Sequence, residues 1–206
     1  MYSGIIDGHY PVCEINNQPG LLSFDVLFPE SLLGGLQLGA SVAIDGVCQT
    51  VSRIQGQQIG FDAMQETLDK TTLGQLSLGE TVNVERSLRH GDENGGHELS
   101  GHIDGQLTII NVEHRPNNHI ITLEVPSTFR RYVFNKGFLA VHGASLTVSD
   151  WDIATGQFNI YLIPETLRLT NLGQFKQGDS LNFEVERRTQ VIVDTVERYL
   201  REHLYA

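Results

Sequence analysis

Apolar and polar residues alternate along most of this chain in short runs punctuated by turn-forming residues. Ser41-Val42-Ala43-Ile44, Gln58-Ile59-Gly60-Phe61, Thr81-Val82-Asn83-Val84-Glu85 and Gln157-Phe158-Asn159-Ile160-Tyr161 all follow the period of two expected of half-buried strands. Gly, Asn and Asp clusters return at strand-length intervals, which predicts all-β barrels or sandwiches rather than alternating strands and helices. Barrel closure would also remove the exposed sheet edges that invite aggregation. Short helical turns are predicted at Pro29–Leu33 and Pro126–Tyr132, each opened by a proline, and after Glu66 and Glu165. From about Thr189 the period lengthens: Ile192, Val196, Tyr199 and His203 share a face, with Val193, Leu200 and Leu204 beside it. This is an amphipathic helix of about four turns, and its stripe must cap its own barrel or pack against other copies.

The strand pattern occurs twice. Ser3-Gly4-Ile5-Ile6-Asp7-Gly8 returns as Ser100-Gly101-His102-Ile103-Asp104-Gly105, a shift of 97 residues. Val42 to Val51 returns at the same shift as Leu139 to Val148, and Gly79 to Glu85 returns as Gly178 to Glu184, shifted by 99. A period near 100 residues is that of a whole small domain, not of a stacked solenoid unit. We therefore expect an amino-terminal barrel over 1–90, a similar barrel over 91–188 and a terminal helix over 189–206. The polar, glycine-rich stretch Arg89–His97 between them reads as a linker whose glycines could approach a ligand closely.

Composition narrows the function. A net charge of −11 argues against a nucleic-acid partner, and the basic pairs Arg130-Arg131 and Arg187-Arg188 are too short to change that. No start of secretory type and no membrane-length apolar run is present, so a cytoplasmic protein with no membrane association is expected. Cys13 and Cys48 read as free thiols. No metal is expected, because neither cysteine lies in a Cys-x-x-Cys pair and His97 and His102 lack ligand spacing. A serine-hydrolase reading fails for want of a Gly-x-Ser-x-Gly motif.

Candidate chemistry emerges where the repeat breaks its own symmetry. Ile5 is matched by His102, and Cys48 by Ser145, with Thr50 and Thr147 two residues further on. His102 has the side chain suited to proton transfer near neutral pH. Cys48 and Ser145 offer a thiol and a hydroxyl at equivalent positions, although a free cysteine also serves as a small apolar core residue.

Met1-Tyr2-Ser3-Gly4-Ile5-Ile6, Gly39 to Cys48, Gly95-Gly96-His97 with Ser100-Gly101-His102-Ile103, Gly143 to Val148, Leu162 to Leu167 and Val193 to Arg198 resemble the riboflavin synthase alpha-chain family. Six motifs in the right order span essentially the whole chain. The resemblance implies two six-stranded Greek-key barrels and a carboxy-terminal helix that assembles a homotrimer. It implies a cofactor-free dismutation of two 6,7-dimethyl-8-ribityllumazine molecules to riboflavin and 5-amino-6-ribitylamino-uracil by four-carbon transfer. The active site is then expected between the first barrel of one subunit and the second barrel of its neighbour.

By position, the resemblance puts Cys48, His102, Ser145, Thr147 and Glu186 at the reaction centre. It assigns substrate binding to Tyr2, Ser3, Gly4, Ile5, Ser41, Thr50, Thr67, Gly101, Ile103 and Thr166. The chain departs from the family pattern at Glu186 (usually Asp), at Tyr2-Ser3 (usually Phe-Thr), at Gln49 (usually Leu) and at Glu98. These departures raise the alternative of a non-catalytic lumazine, riboflavin or FMN carrier of the same superfamily.

Overall fold

The computed structural model describes residues 1–116 and 118–204; the side chain of Leu204 and residues 205–206 lie outside the described part. The first half comprises β1 (Gly8–Gln18), β2 (Leu21–Leu27), α1 (Glu30–Leu33), β3 (Ser41–Ile44), β4 (Val47–Gln55), β5 (Gln58–Met64), α2 (Gln65–Lys70) and β6 (Thr81–Arg86). Its strands close into a barrel in the order β1-β2-β5-β4-β3-β6. Alternation drives closure: in the first half of β4, Val47, Gln49 and Val51 are buried, while Thr50 and Ser52 are exposed. Phe24, Val26, Ile59, Phe61, Val82 and Val84 fill the interior completely.

The second half repeats this plan with β7 (Gly105–Arg115), β8 (Asn118–Glu124), β9 (Phe138–Val141), β10 (Ala144–Thr147), β11 (Ser149–Asp152), β12 (Gln157–Leu162), α3 (Pro164–Leu169) and β13 (Ser180–Val185). Its sheet runs β10-β9-β13-β7-β8-β12-β11. The end strands β10 and β11 are consecutive in the chain and together correspond to β4, so the curled sheet is the second six-stranded unit with one strand broken. The break has a local cause. In β4 the register against β5 slips between Val51 and Arg53, a single bulge. In the second half the equivalent slip falls between Ser149 and Asp152, with Asp150 at φ 54°. Phe158, Phe183, Ile121, Leu123 and Ile160 fill this second core. The turn after Pro126 is a 3-10 helix over Ser127–Tyr132.

A pseudo-two-fold axis relates the halves. Tyr2 and Leu99 pair as an antiparallel bridge, through hydrogen bonds of 2.9 and 3.0 Å. The turns Asp45-Gly46 and His142-Gly143 meet back to back, and a Cβ on Gly46 would fall 2.7 Å from the Gly143 nitrogen, which only glycine avoids. Asn83 Nδ2 donates to the His142 carbonyl, and Asn182 Nδ2 donates to the Asp45 carbonyl, each at 2.9 Å. His142 Nε2 stands 3.2 Å from Asp45 Oδ1, which also accepts from the Asn83 amide and Asn171 Nδ2. This buried polar clasp fixes how the barrels sit.

The terminal helix α4 (Arg187–Leu204) begins two residues before the expected Thr189. Among the described apolar side chains of this helix only Val193 packs on the second core, while Val191, Ile192, Val196 and Tyr199 are exposed. Arg131–Glu197 and Tyr132–Asp194 contacts hold its other side to the barrel. No helix among the described residues is long and apolar enough to cross a membrane.

Candidate functional site

Each half opens with a Ser-Gly pair gripped by a buried glutamate. Glu85 accepts from the Ser3 amide (2.6 Å), the Ser3 hydroxyl (2.7 Å) and the Gly4 amide (3.0 Å). Glu184 does the same for Ser100 and Gly101, at 2.9, 2.5 and 2.9 Å. The gripped segment then crosses to the other barrel: the Gly101 carbonyl accepts from the Cys48 amide and the Gly4 carbonyl from the Ser145 amide, both at 2.8 Å. Gly4 and Gly101 have φ of 75° and 77°, and a Cβ at either would collide with Ser145 or Cys48 at 2.6 and 2.7 Å. The duplicated Ser-Gly is thus the condition for laying each half's opening segment against the other half's wall.

This crossing makes two equivalent clefts that share no lining residue. One, of about 250 Å³, is lined by Val47, Cys48, Glu66, Thr67, Lys70, Thr71, Gly101, His102 and Ile103. The other, of about 170 Å³, is lined by Gly4, Ile5, Ile6, Ala144, Ser145, Leu146, Glu165, Thr166, Leu169 and Thr170. Each pairs a barrel strand with the helix α2 or α3. Both helices end on a threonine whose hydroxyl turns back to a carbonyl at 2.7 Å, Thr71 to Thr67 and Thr170 to Thr166. Cys48, His102, Thr67, Gly101 and Ile103 therefore converge on one cleft, and Ser145, Gly4, Ile5 and Thr166 on the other.

The remaining expected site residues lie elsewhere. Tyr2 and Ser3 are buried and line neither cleft; Ser3 is spent on Glu85, and Tyr2 stands behind Cys48. Ser41 and Thr50 pair across β3 and β4, outside the cleft lining. Thr147 is exposed on β10 beyond the second cleft. Glu186 caps α4, accepting from the Arg188 amide and from the Thr189 amide and hydroxyl. It lies in a separate cavity of about 480 Å³ with His97, Phe134 and Phe138. Gln49 is buried, its Nε2 3.2 Å from the Cys48 carbonyl and its Oε1 without a partner among the described residues.

The two nucleophile-bearing positions are supported from behind by different groups. The Tyr2 hydroxyl donates to Cys48 Sγ at 3.1 Å. Ser145 Oγ meets His97 Nδ1 at 2.6 Å, and His97 stacks on Phe138. The sequence places His97 at the end of the linker and outside the expected site residues. Instead its amide bonds the Ser3 carbonyl, and Gly96 lies against Ser3 and Ser145 so closely that a Cβ would clash with both. Gly96 thus serves close approach of backbone to protein. Burial pushes the His97 pKa below its ordinary value, partly opposed by Glu186, which favours the neutral ring. His102, by contrast, is exposed at its cleft, its carbonyl anchored by Arg187 at 2.6 Å. Among the described residues no three His, Cys, Asp or Glu side chains converge as a metal-binding group.

Comparison with known proteins agrees with this duplicated architecture. The family described as lumazine binding domain matches twice, over residues 3–87 and 100–186. Riboflavin synthase of Escherichia coli (strain K12) is 42% identical over 201 residues, covering 97% of this chain and 93% of the relative. Riboflavin synthase of Buchnera aphidicola subsp. Schizaphis graminum is 39% identical over 205 residues, covering 99% and 98%. Crystal structures of LumP complexed with riboflavin and with 6,7-dimethyl-8-(1'-D-ribityl) lumazine superpose with TM-scores of 0.83 and 0.81. Both are 24% identical; they cover 90% of this chain and 100% or 99% of their own, and they share its fold. The chain belongs to the riboflavin synthase family of lumazine-binding proteins.

Proposed function

We propose that the protein is a riboflavin synthase, converting two 6,7-dimethyl-8-ribityllumazine molecules into riboflavin and 5-amino-6-ribitylamino-uracil. The observation that carries this reading is the pair of equivalent clefts with unlike chemistry, Cys48 and His102 in one and Ser145 in the other. Two copies of one substrate need the same grip, but donor and acceptor need different proton chemistry. Thr67 and Thr166 stand at matching places to hold similar ring or ribityl groups. His102 moves the proton of the lumazine methyl group, Cys48 hydrogen-bonds the substrate beside it, and Ser145, paired with His97, hydrogen-bonds the partner ring.

The clefts share no residue and are smaller than the roughly 300–1,000 Å³ typical of small-molecule sites, so each needs a cover from another chain. A homotrimer brings the first cleft of one subunit against the second cleft of its neighbour, with the exposed stripe of α4 as its seam. Holding both reactants so removes roughly 7–11 kcal/mol of barrier through orientation alone. In this reading 1–90 and 91–188 are the two binding barrels, 189–206 is the assembly helix, the protein is cytoplasmic, and neither metal nor cofactor takes part.

Incubating the purified protein with 6,7-dimethyl-8-ribityllumazine and following riboflavin absorbance tests the proposal, with sedimentation reporting the trimer. Tight binding of one lumazine or flavin per chain without turnover would instead establish the carrier reading. The commitment of Glu186 to capping α4, away from both clefts, is the observation that favours that alternative.

A further inference from the structure

Tyr2 supplies a contact that its counterpart in the other half does not. It pairs with Leu99 across the pseudo-two-fold, so its ring and the Leu99 side chain occupy equivalent places beside Ala43 and Ala140. Leucine there can only fill space. Tyrosine fills the same space and carries a hydroxyl to Cys48 Sγ, 3.1 Å away, from the buried side. The ring is 1% exposed and cannot reach a ligand itself. Burial and the bond to Cys48 raise the hydroxyl's pKa far above its ordinary value, so it stays protonated and acts as the donor. The sulfur is further fixed through its backbone, whose amide is tied to Gly101.

We propose that Tyr2 is a positioning residue for Cys48: its hydroxyl engages the sulfur from the interior, orienting the thiol hydrogen toward the cleft lined by Thr67, Gly101 and His102. The idea rests on the reading of that cleft as a lumazine site. Two effects follow from one bond. The Cys48 side chain is held in a single rotamer, and the thiolate, when formed, keeps a hydrogen-bond donor, as a sulfur that gives up or shares its proton requires.

The test uses the full-length Cys13→Ser protein, in which Cys48 is the sole thiol, and compares it with the same protein carrying Tyr2→Phe. Without the Tyr2 hydroxyl the sulfur loses one net hydrogen bond and its rotamer is released. Iodoacetamide alkylation of Cys48 should then be roughly two- to fivefold slower. The value of kcat for lumazine should fall severalfold with KM unchanged. 3-Fluorotyrosine at position 2 alone, nearly isosteric and a stronger donor, should move alkylation the opposite way.

Equal alkylation rates in all three proteins would overturn the proposal, as would a wild-type thiol that fails to react while folded. Because alkylation needs no substrate, its result stands even if the wild-type protein does not turn over lumazine. Conversely, wild-type turnover with alkylation indifferent to position 2 would sink the Tyr2 role alone.

Discussion

Replacing Glu85 by Gln removes a charge that the fold holds at a cost. Its carboxylate is buried and receives three protein donors, yet desolvation outweighs them and raises its pKa from 4.5 to about 7. The folded state therefore binds this proton more tightly than the unfolded chain. The contribution to stability is fully present below the unfolded value near 4.5 and is lost as pH rises through the folded value near 7. Between about pH 5.5 and about pH 8.5 this one group should lower the unfolding free energy by roughly 2 kcal/mol. Glutamine does not titrate, so it lacks that slope. It keeps an oxygen for Ser3, but its amide faces the Gly4 N–H, a donor–donor conflict costing about 1–3 kcal/mol at every pH. Glu85→Gln should thus be clearly less stable than wild type at about pH 5.5 and close to it at about pH 8.5. Urea unfolding of both proteins at one fixed concentration measures this. A stability difference that stays constant across that range would refute the reasoning, because it would mean that Glu85 titrates alike folded and unfolded.

Two further substitutions probe the frame around the clefts. Gly101→Ala places a methyl group 2.7 Å from the Cys48 Cβ at a φ of 77°, so turnover should fall by at least about tenfold and thermal stability should drop, measured by lumazine assay and melting. Asp45→Ala leaves His142 Nε2, the Asn83 amide and one Asn171 donor without their shared acceptor, which should cost about 3 kcal/mol in chemical denaturation.

The barrels were legible because each strand buries one face, and a period of two survives in sequence whatever the long-range pairing. The crossing of the halves was not, since it depends on contacts such as Cys48 with Gly101 and Ser145 with Gly4 that no local pattern encodes. His97 was missed for the same reason: its partner Ser145 lies 48 residues away, and Gly96 beside it looks like a linker residue when it makes a close approach. The resemblance puts Tyr2 at the substrate; in the structure its neighbours Gly4 and Ile5 line a cleft, whereas its own side chain turns inward to Cys48. The early start of α4 escaped notice because the residue before it, Glu186, is not a usual helix cap; it works here through carboxylate bonds to the Thr189 amide and hydroxyl.

Comparing matched positions separates what the duplication kept from what it changed. Glu85 with Glu184, Asn83 with Asn182, Gly4 with Gly101 and Gly46 with Gly143 are unchanged pairs, and each makes its bond or close approach in both halves. Altering one member would leave its partner's half of the interface mismatched, so the two-fold arrangement holds them alike. Cys48 and Ser145, His102 and Ile5, Lys70 and Leu169 differ, and all six line the clefts. Cys48 and Ser145 meet the opposite half through their backbone amides, so the frame holds the two positions alike while their side chains differ. A frame that grips two identical molecules in the same way while allowing their surroundings to diverge is what a reaction between unlike partners drawn from one substrate requires.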